Sequence, residues 1–265
     1  MDRDIKSQIV QHVNWREDVL SELVKSCIDF HLENNSTSRI FLTKSIVIIL
    51  LDIGTDFLPE NLIQIQKENQ LKNIKTIYLW EDVWLTKPIL VISRLRSLCG
   101  MNIRVHGRKT KVVKIIKPLA DLFLDENHLQ GAVSSRYKLG LFFKDELIAV
   151  ATFSALRKMN HTENYKSVEL IRFVVKMGYS VIGGLSKLIK AFYLSFGPND
   201  VMTYADRDWS VGEGYLKLGF ECTSILEPHY FLLDKNFSRQ LSRIVITQEE
   251  NTVFNTGSLK FVLKF

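Results

Sequence analysis

The stretch of this chain with the most chemistry in its spacing runs from Glu169 to Phe192. A strand-like run from Ser167 to Lys176 leads into Gly178-Tyr-Ser-Val-Ile-Gly183-Gly184. Apolar Leu185, Leu188, Ile189 and Phe192 follow at i, i+3, i+4 and i+7. The order is strand, glycine loop, helix. A helix that begins after glycines presents amide hydrogens without intrahelical partners, and its dipole favours negative charge there. Gly183 and Gly184 carry no side chain to block approach. Ser180 and Ser186 add hydroxyl donors, Lys187 adds a cation, and Gly178 opens the loop. The chemistry this suits is the holding of a pyrophosphate. The same glycines also suit a tight turn that needs positive φ, and both readings stand at this point.

A second patch is legible from charge. From Arg104 to Lys117 the chain holds six Lys or Arg residues and no acid, and apolar and basic residues roughly alternate from Lys111 to Lys117. One reading is a strip that follows a phosphate backbone, with Arg104, Arg108, Lys109, Lys111 and Lys114 as the nucleic-acid-binding residues and Arg94 and Arg96 just upstream. The other is a solvated strand and its loop. No pair of cysteines has metal-ligand spacing: Cys27, Cys99 and Cys222 stand far apart, so neither a disulfide framework nor a cysteine-built zinc site is expected.

The elements that must position these residues fall into two parts. In the first, Val19, Leu23 and Ile28 have helical spacing, and the polar run Glu33 to Ser38 ends that segment. Ile46 to Leu51 reads as a buried strand, Leu62 to Leu71 as a polar helix and Lys75 to Trp80 as a second strand. The run from Pro88 reads as a helix that Gly100 stops. In the second part, Pro118 to Asn127 is a short helix. Lys138–Phe143 and Leu147–Phe153 form a hairpin around Lys144-Asp-Glu146, Asp200 to Ala205 is a strand, and Gly214 to Leu218 is a short helix ended by Gly219. His229 to Leu233 is a strand, and the tail runs Ile244–Ile246 and Leu259–Leu263 are expected at sheet edges.

Composition narrows the class. The chain has 265 residues, 46% apolar and 24% charged, with a net charge of +6. That is an ordinary globular make-up, neither disordered nor collagenous. Met1-Asp-Arg-Asp-Ile-Lys lacks a basic-then-apolar leader, and the longest apolar run, Ile46 to Leu51, is too short to span a bilayer. A cytoplasmic protein with no membrane partner is the expectation. His161 is expected to be an exposed loop residue.

The order of motifs in the second half resembles the GNAT acyltransferase superfamily. Gly214-Tyr215-Leu-Lys-Leu-Gly219-Phe220 is similar to the Tyr-x-x-x-Gly-Phe ending of that family, and the glycine loop with its helix stands where the family holds the coenzyme A pyrophosphate. The loop here, Ser180-Val-Ile-Gly183-Gly184-Leu185, lacks the family's leading Arg or Gln. The resemblance covers roughly Ile115 to Leu233. It implies acetyl-CoA or another acyl-CoA as cofactor, held by Gly178, Ser180, Gly183, Gly184, Ser186 and Lys187. It also implies a sheet edge that opens beside the loop for the thioester arm, and Tyr215 as the general acid for the leaving thiolate. Packing against the sheet is the alternative role for Tyr215.

A narrower resemblance rests on Glu126-Asn-His-Leu-Gln-Gly131, Glu169-Leu-Ile-Arg-Phe173, Gly183-Gly-Leu-Ser-Lys-Leu188 and Tyr204-Ala-Asp-Arg-Asp-Trp-Ser210. These look like a GNAT-like domain of phage and mobile-element proteins, which often follows a very-short-patch-repair-like endonuclease module. Trp80-Glu-Asp-Val-Trp-Leu-Thr-Lys87 is similar to the end of that module, but Asp52, Asp56 and Glu60 lack a nuclease spacing. By analogy with phage adenine-modifying acyltransferases, the acceptor amine sits on nucleic acid, DNA or RNA, and Glu169, Asp206 and Asp208 are base candidates. Their alternative role is an ion-pair network with Arg172 and Arg207. His128 beside Gln130 is a substrate contact or a structural hydrogen-bonder, and Trp209 is a stacking platform or a lid.

The sequence therefore leads to an α/β protein. Residues 1–110 form a smaller nuclease-like module, inactive and without metal, and residues 111–265 form a mixed-sheet GNAT-like domain. The leading activity is acyl transfer from acyl-CoA to an amine. The alternatives are a DNA-binding or homing-endonuclease-like protein of a mobile element with a non-catalytic GNAT-like half, and a silent interaction module.

Overall fold

The computed structural model describes residues 14–33, 36–159, 164–242 and 251–265. His161, the run Ile244–Ile246 and the first residues of the chain lie outside them. The chain divides into two compact units, residues 1–92 with 229–255 and residues 93–228 with 256–265.

The first unit starts with α1 (Trp15–Lys25), which Asn14 caps by accepting the Arg16 amide at 3.3 Å, and which buries Trp15, Val19 and Leu23 on one face. The helix stops short of Ile28 because Cys27 takes a φ of 54°. The chain then forms β1 (His31–Glu33), β2 (Ser36–Thr43) and β3 (Ile46–Leu51) rather than a loop. Ile40 and Leu42 are buried in alternation, the period of a strand. α2 (Pro59–Leu71) carries the chain across to β4 (Lys75–Trp80), which pairs parallel with β3. A parallel pair needs such a crossover. α3 (Glu81–Thr86) and α4 (Pro88–Leu98) follow, and the division between units falls within α4.

The second unit opens with β5 (Ile103–His106), a 3₁₀ turn at Gly107–Lys109 and β6 (Lys111–Lys114), so the basic run is two short strands around a turn. Then come α5 (Lys117–Asn127), the hairpin β7 (Tyr137–Phe143) and β8 (Glu146–Phe153), the short β9 (Arg157–Lys158) and β10 (Lys166–Val175). β11 (Tyr179–Ile182) precedes α6 (Gly184–Phe196), β12 (Asp200–Asp206), α7 (Glu213–Leu216) and β13 (Glu221–Leu226). The chain returns to the first unit as β14 (Tyr230–Leu233), β15 (Arg239–Leu241) and β16 (Thr252–Phe254), then re-enters the second as β17 (Ser258–Lys264).

The sheets are mixed and the class is α/β, as the sequence leads one to expect. The large sheet runs β13-β17-β12-β10-β8-β7-β6, with β9 pairing β10 off that path. Its core is apolar and continuous. Phe153 stacks on Phe192 of α6 at 4.2 Å between centroids, and Leu188 and Ile189 fill the same layer.

Three boundaries differ from the sequence reading. The units break at residue 92 rather than near 110, because β5 pairs with β11 inside the second unit. Residues 229–255 belong to the first unit, where Val253, Phe254 and Tyr230 cover Tyr78 and Trp80. The Leu259–Leu263 run is not at an edge: β17 lies between β12 and β13 and buries Phe261. Among the described residues no helix is long and apolar enough to cross a membrane.

Candidate active site

β10 pairs with β12 only at Ser167↔Asp200, Val168↔Val201 and Glu169↔Met202. Beyond that point β10 follows β8 and β12 follows β17. The last link across is the Thr203 hydroxyl, which donates to the Leu170 carbonyl at 2.9 Å. The two parallel strands therefore part after Glu169 and Met202, and each leaves one edge without a strand partner among the described residues. A bulge accompanies the parting, since Leu170 pairs with Phe153 but Arg172 with Thr152. The extra residue, Ile171, resets the alternation of side chains. Glu169 and Arg172 thus share a face, where a regular strand would have set them on opposite faces.

Between β10 and β12 the chain passes through β11 and α6. Gly183 is the N-cap of α6 at φ 72° with no side-chain cap, and both Gly183 and Ser186 are exposed. Gly184 is buried: a Cβ there would meet Val181 at 2.8 Å and Leu141 at 3.0 Å. Its glycine identity is set by helix-to-sheet packing, so an acidic side chain at Gly184 would disturb the fold along with any ligand. Gly178 and Ser180 do not join this group. Tyr179–Ile182 is a strand paired in parallel with β5, and the Gly178 carbonyl accepts the Ile103 amide at 2.8 Å. Lys187 turns away too. Its ammonium donates to the carbonyls of Thr110 and, at 3.0 Å, Gly107. That lysine fastens the 3₁₀ turn to the first turn of α6, and the Gly107 backbone lies close enough to Gly183 that a Cβ would meet its carbonyl at 3.0 Å. Arg104, Arg108, Lys109, Lys111 and Lys114 are all exposed, and Lys114 lies over the Phe196 ring at 5.3 Å.

Tyr215 is partly buried, its ring 5.5 Å from both Phe220 and Phe261. Its α7 helix starts at Gly212, where φ is 81° and a Cβ would strike the Phe261 ring at 2.1 Å. Only glycine fits there. The Tyr215 hydroxyl is hydrogen-bonded to Thr203, the residue at which β10 and β12 part. Burial raises its pKa; the Thr203 bond and the nearby guanidinia of Arg94 and Arg172 pull the other way. Arg94 lies over the Trp209 ring at 5.1 Å. Loss of solvent around the guanidinium lowers the pKa of both arginines, although Arg94 keeps an exposed surface; Asp206 opposes this for Arg94 and Glu169 for Arg172, with Tyr215 acting on each. The sequence reading set Arg94 beside the basic strip and Arg172 in an ion-pair network rather than beside Tyr215, because α4 precedes the motif and the bulge in β10 is invisible there.

The candidate bases separate. Asp208 is 3% exposed and accepts the Thr256 amide at 2.9 Å and its hydroxyl at 2.7 Å, which is an anchoring role. Asp206 accepts the Gln130 side-chain amide at 3.3 Å and the Asp208 amide at 3.0 Å at the open end of β12. Glu169 lies 3.6 Å from Arg157. His128 Nδ1 accepts the Gln130 amide at 3.1 Å within its turn, and Trp209 is 6% exposed with Arg94 over its ring. Cys222 is exposed on β13.

Three acids of the first unit are engaged. Asp52 accepts from the Trp15 indole at 2.8 Å and from Arg16, Glu81 accepts the Ile53 amide at 3.0 Å, and Arg239 grips Asp82 with two bonds at 2.6 and 2.9 Å. Among the described residues no group of three His, Cys, Asp or Glu could hold a metal ion.

No protein-family model matches this sequence, and no curated protein matches it. Solved structures that are similar include a GNAT family acetyltransferase from Elizabethkingia anophelis with acetyl-CoA bound, at 14% identity over 59% of this chain and 99% of that one, with a TM-score of 0.38. The ribosomal-protein-S18-alanine N-acetyltransferase from Escherichia coli is similar at 13% identity over 58% of this chain and 93% of that one, TM-score 0.39. An acetyltransferase from Bacillus subtilis in complex with CoA is similar at 14% identity over 59% and 99%, TM-score 0.37. Likenesses this distant assign neither a family nor a ligand to this chain.

Proposed function

We propose that the second unit is a GNAT-type N-acyltransferase that moves an acyl group from an acyl-CoA to an amine. The observation that carries this reading is the parting of β10 and β12 after Glu169 and Met202, with the Tyr215 hydroxyl bonded to Thr203 at that point and with Gly183 and α6 in the stretch of chain that joins the two strands.

The residues present fit such a cofactor. The first amides of a 13-residue helix behind an uncapped Gly183 suit its phosphates, with Ser186 as an added donor. When bound, an acyl-CoA supplies an acyl group already activated as a thioester. Glu169 or Asp206 accepts the proton that the attacking amine loses. Tyr215, kept protonated by burial, gives its proton to the departing sulfur. Direct attack by the amine is favoured over a covalent intermediate, because Cys222 lies exposed on β13 and its thiol reaches the Ser224 carbonyl at 4.0 Å rather than a base.

A nucleic-acid acceptor is a second reading, favoured by the exposed cations Arg104, Arg108, Lys109, Lys111 and Lys114. The turn that carries Arg108 and Lys109 lies against Gly183, so the same cations also suit the phosphates of a coenzyme. The first unit is read as a non-cleaving α/β module, since Asp52, Glu81 and Asp82 are each held by neighbours. Magnesium-dependent nicking of DNA by the intact protein would contradict that reading. The transferase itself is tested by acetyl-CoA-dependent thiol release with a panel of amines, in the wild type and in Tyr215→Phe. Release that Tyr215→Phe slows supports it, and no release from acetyl-CoA with any amine contradicts it.

A further inference from the structure

The two guanidinia beside Tyr215 have more donors than the protein uses. Arg94 is exposed, lies over the Trp209 ring and, among the described residues, has no hydrogen bond to a protein group. Arg172 donates through Nη1 to its neighbour Ile171's carbonyl at 2.9 Å, while its Nε is buried with no partner. A buried donor left unpaired is unfavourable, and a guanidinium fork is matched best by a carboxylate or a phosphate. Both cations act on the Tyr215 hydroxyl, which places them around the point where β10 and β12 part. Each also feels one acid, Asp206 for Arg94 and Glu169 for Arg172. Two cations and two anions therefore act on one another around Tyr215. An amine alone would leave the buried Arg172 Nε without a partner.

We infer that the acceptor is an amine bearing its own anionic group, a carboxylate or a phosphate, which Arg94 and Arg172 hold while Glu169 and Asp206 face the amine. The inference rests on the transferase reading and names the acceptor class for that same site. Arg94 and Arg172 are specificity residues in it. Trp209 fixes the first by stacking, and the bulge at Ile171 turns the second onto the face of Glu169.

The test uses matched amines that differ only in the anion: lysine against cadaverine, and O-phosphoethanolamine against ethanolamine, with acetyl-CoA and thiol release as the readout. The charged member of at least one pair reacts with a kcat/KM about tenfold or more above its neutral partner, as charge-assisted hydrogen bonds of this kind allow. Which pair shows it tells carboxylate from phosphate. Arg94→Gln abolishes the preference mainly through KM, and Arg94→Lys restores part of it. Equal kcat/KM within both pairs overturns the inference while leaving the transferase standing. A second readout needs no turnover. Inorganic phosphate and acetate are titrated against tryptophan fluorescence, with Trp209→Phe identifying the reporting ring. A saturable change that Arg94→Gln removes supports the anion site even where no amine is acetylated. No change with either anion, or one that Arg94→Gln leaves intact, overturns it.

Discussion

Tyr215 holds its proton more tightly than a tyrosine in water, because burial outweighs the Thr203 bond and the two guanidinia that act on it. As a general acid it must stay protonated, so a raised pKa extends its working range upward. The alkaline limb of kcat is expected above the ordinary tyrosine value of 10.0. Removing a cation in Arg94→Gln moves that limb higher still, because Arg94 lowers this pKa; a downward shift in a pH–rate profile would count against the assignment. Tyr215→Phe keeps the ring packing on Phe220 and Phe261. It is expected to lower kcat by about 10²–10⁴-fold with little change in the KM for acetyl-CoA. An unaltered kcat would return the tyrosine to a packing role.

At the scale of elements, two short irregularities build the site. The bulge at Ile171 brings Glu169 and Arg172 to one face, and the left-handed Gly212 lets α7 start against Phe261. Gly212→Ala is expected to destabilise the protein by about 2–4 kcal/mol, from a clash with a rigid ring and a positive φ together. A denaturant titration measures it, and a wild-type midpoint would show the packing there to be slack. The start of α6 offers a cleaner probe of binding. Ser186 is exposed in the first turn, so Ser186→Glu favours the helix by about 0.3–1 kcal/mol through its dipole while repelling a diphosphate. The variant should melt no lower than the wild type yet lose acetyl-CoA affinity.

The sequence showed α6, its glycine start and the Tyr215 turn because each depends on local signals: helical periodicity, glycines and a Gly-Phe ending. It did not show that Tyr179–Ile182 is a strand, because its partner β5, which sets Ile103 opposite Tyr179, is far back in the chain. Nor did it show Lys187 bound to Gly107 and Thr110, or Asp208 anchoring Thr256, since those partners are also distant in the chain. Candidate residues chosen for their charge were legible; which of them face a ligand depended on pairings that no local pattern records.

For the whole molecule, the consequence is that both units are built from two chain segments. A fragment of residues 1–110 lacks Val253 and Phe254, which pack on Tyr78 and Trp80. Such a fragment is expected to show no cooperative unfolding transition by near-UV dichroism, and a sharp one would contradict the division. The basic segment has its own test at this scale. Replacing Lys109, Lys111 and Lys114 together with Gln should reduce the salt slope of DNA binding by about one unit for each phosphate that these lysines neutralise. An unchanged slope makes those lysines ordinary surface, and a loss of acetyl-CoA affinity instead assigns them to the coenzyme.

The most direct measurement is backbone amide NMR of the protein titrated with acetyl-CoA. Gripping of the phosphates by α6 predicts saturable shifts of the Gly183, Gly184, Leu185 and Ser186 amides, with a second set at Leu170, Ile171 and Thr203 that free ADP does not produce. Saturation that leaves both sets unmoved, or no binding at millimolar coenzyme, would contradict it.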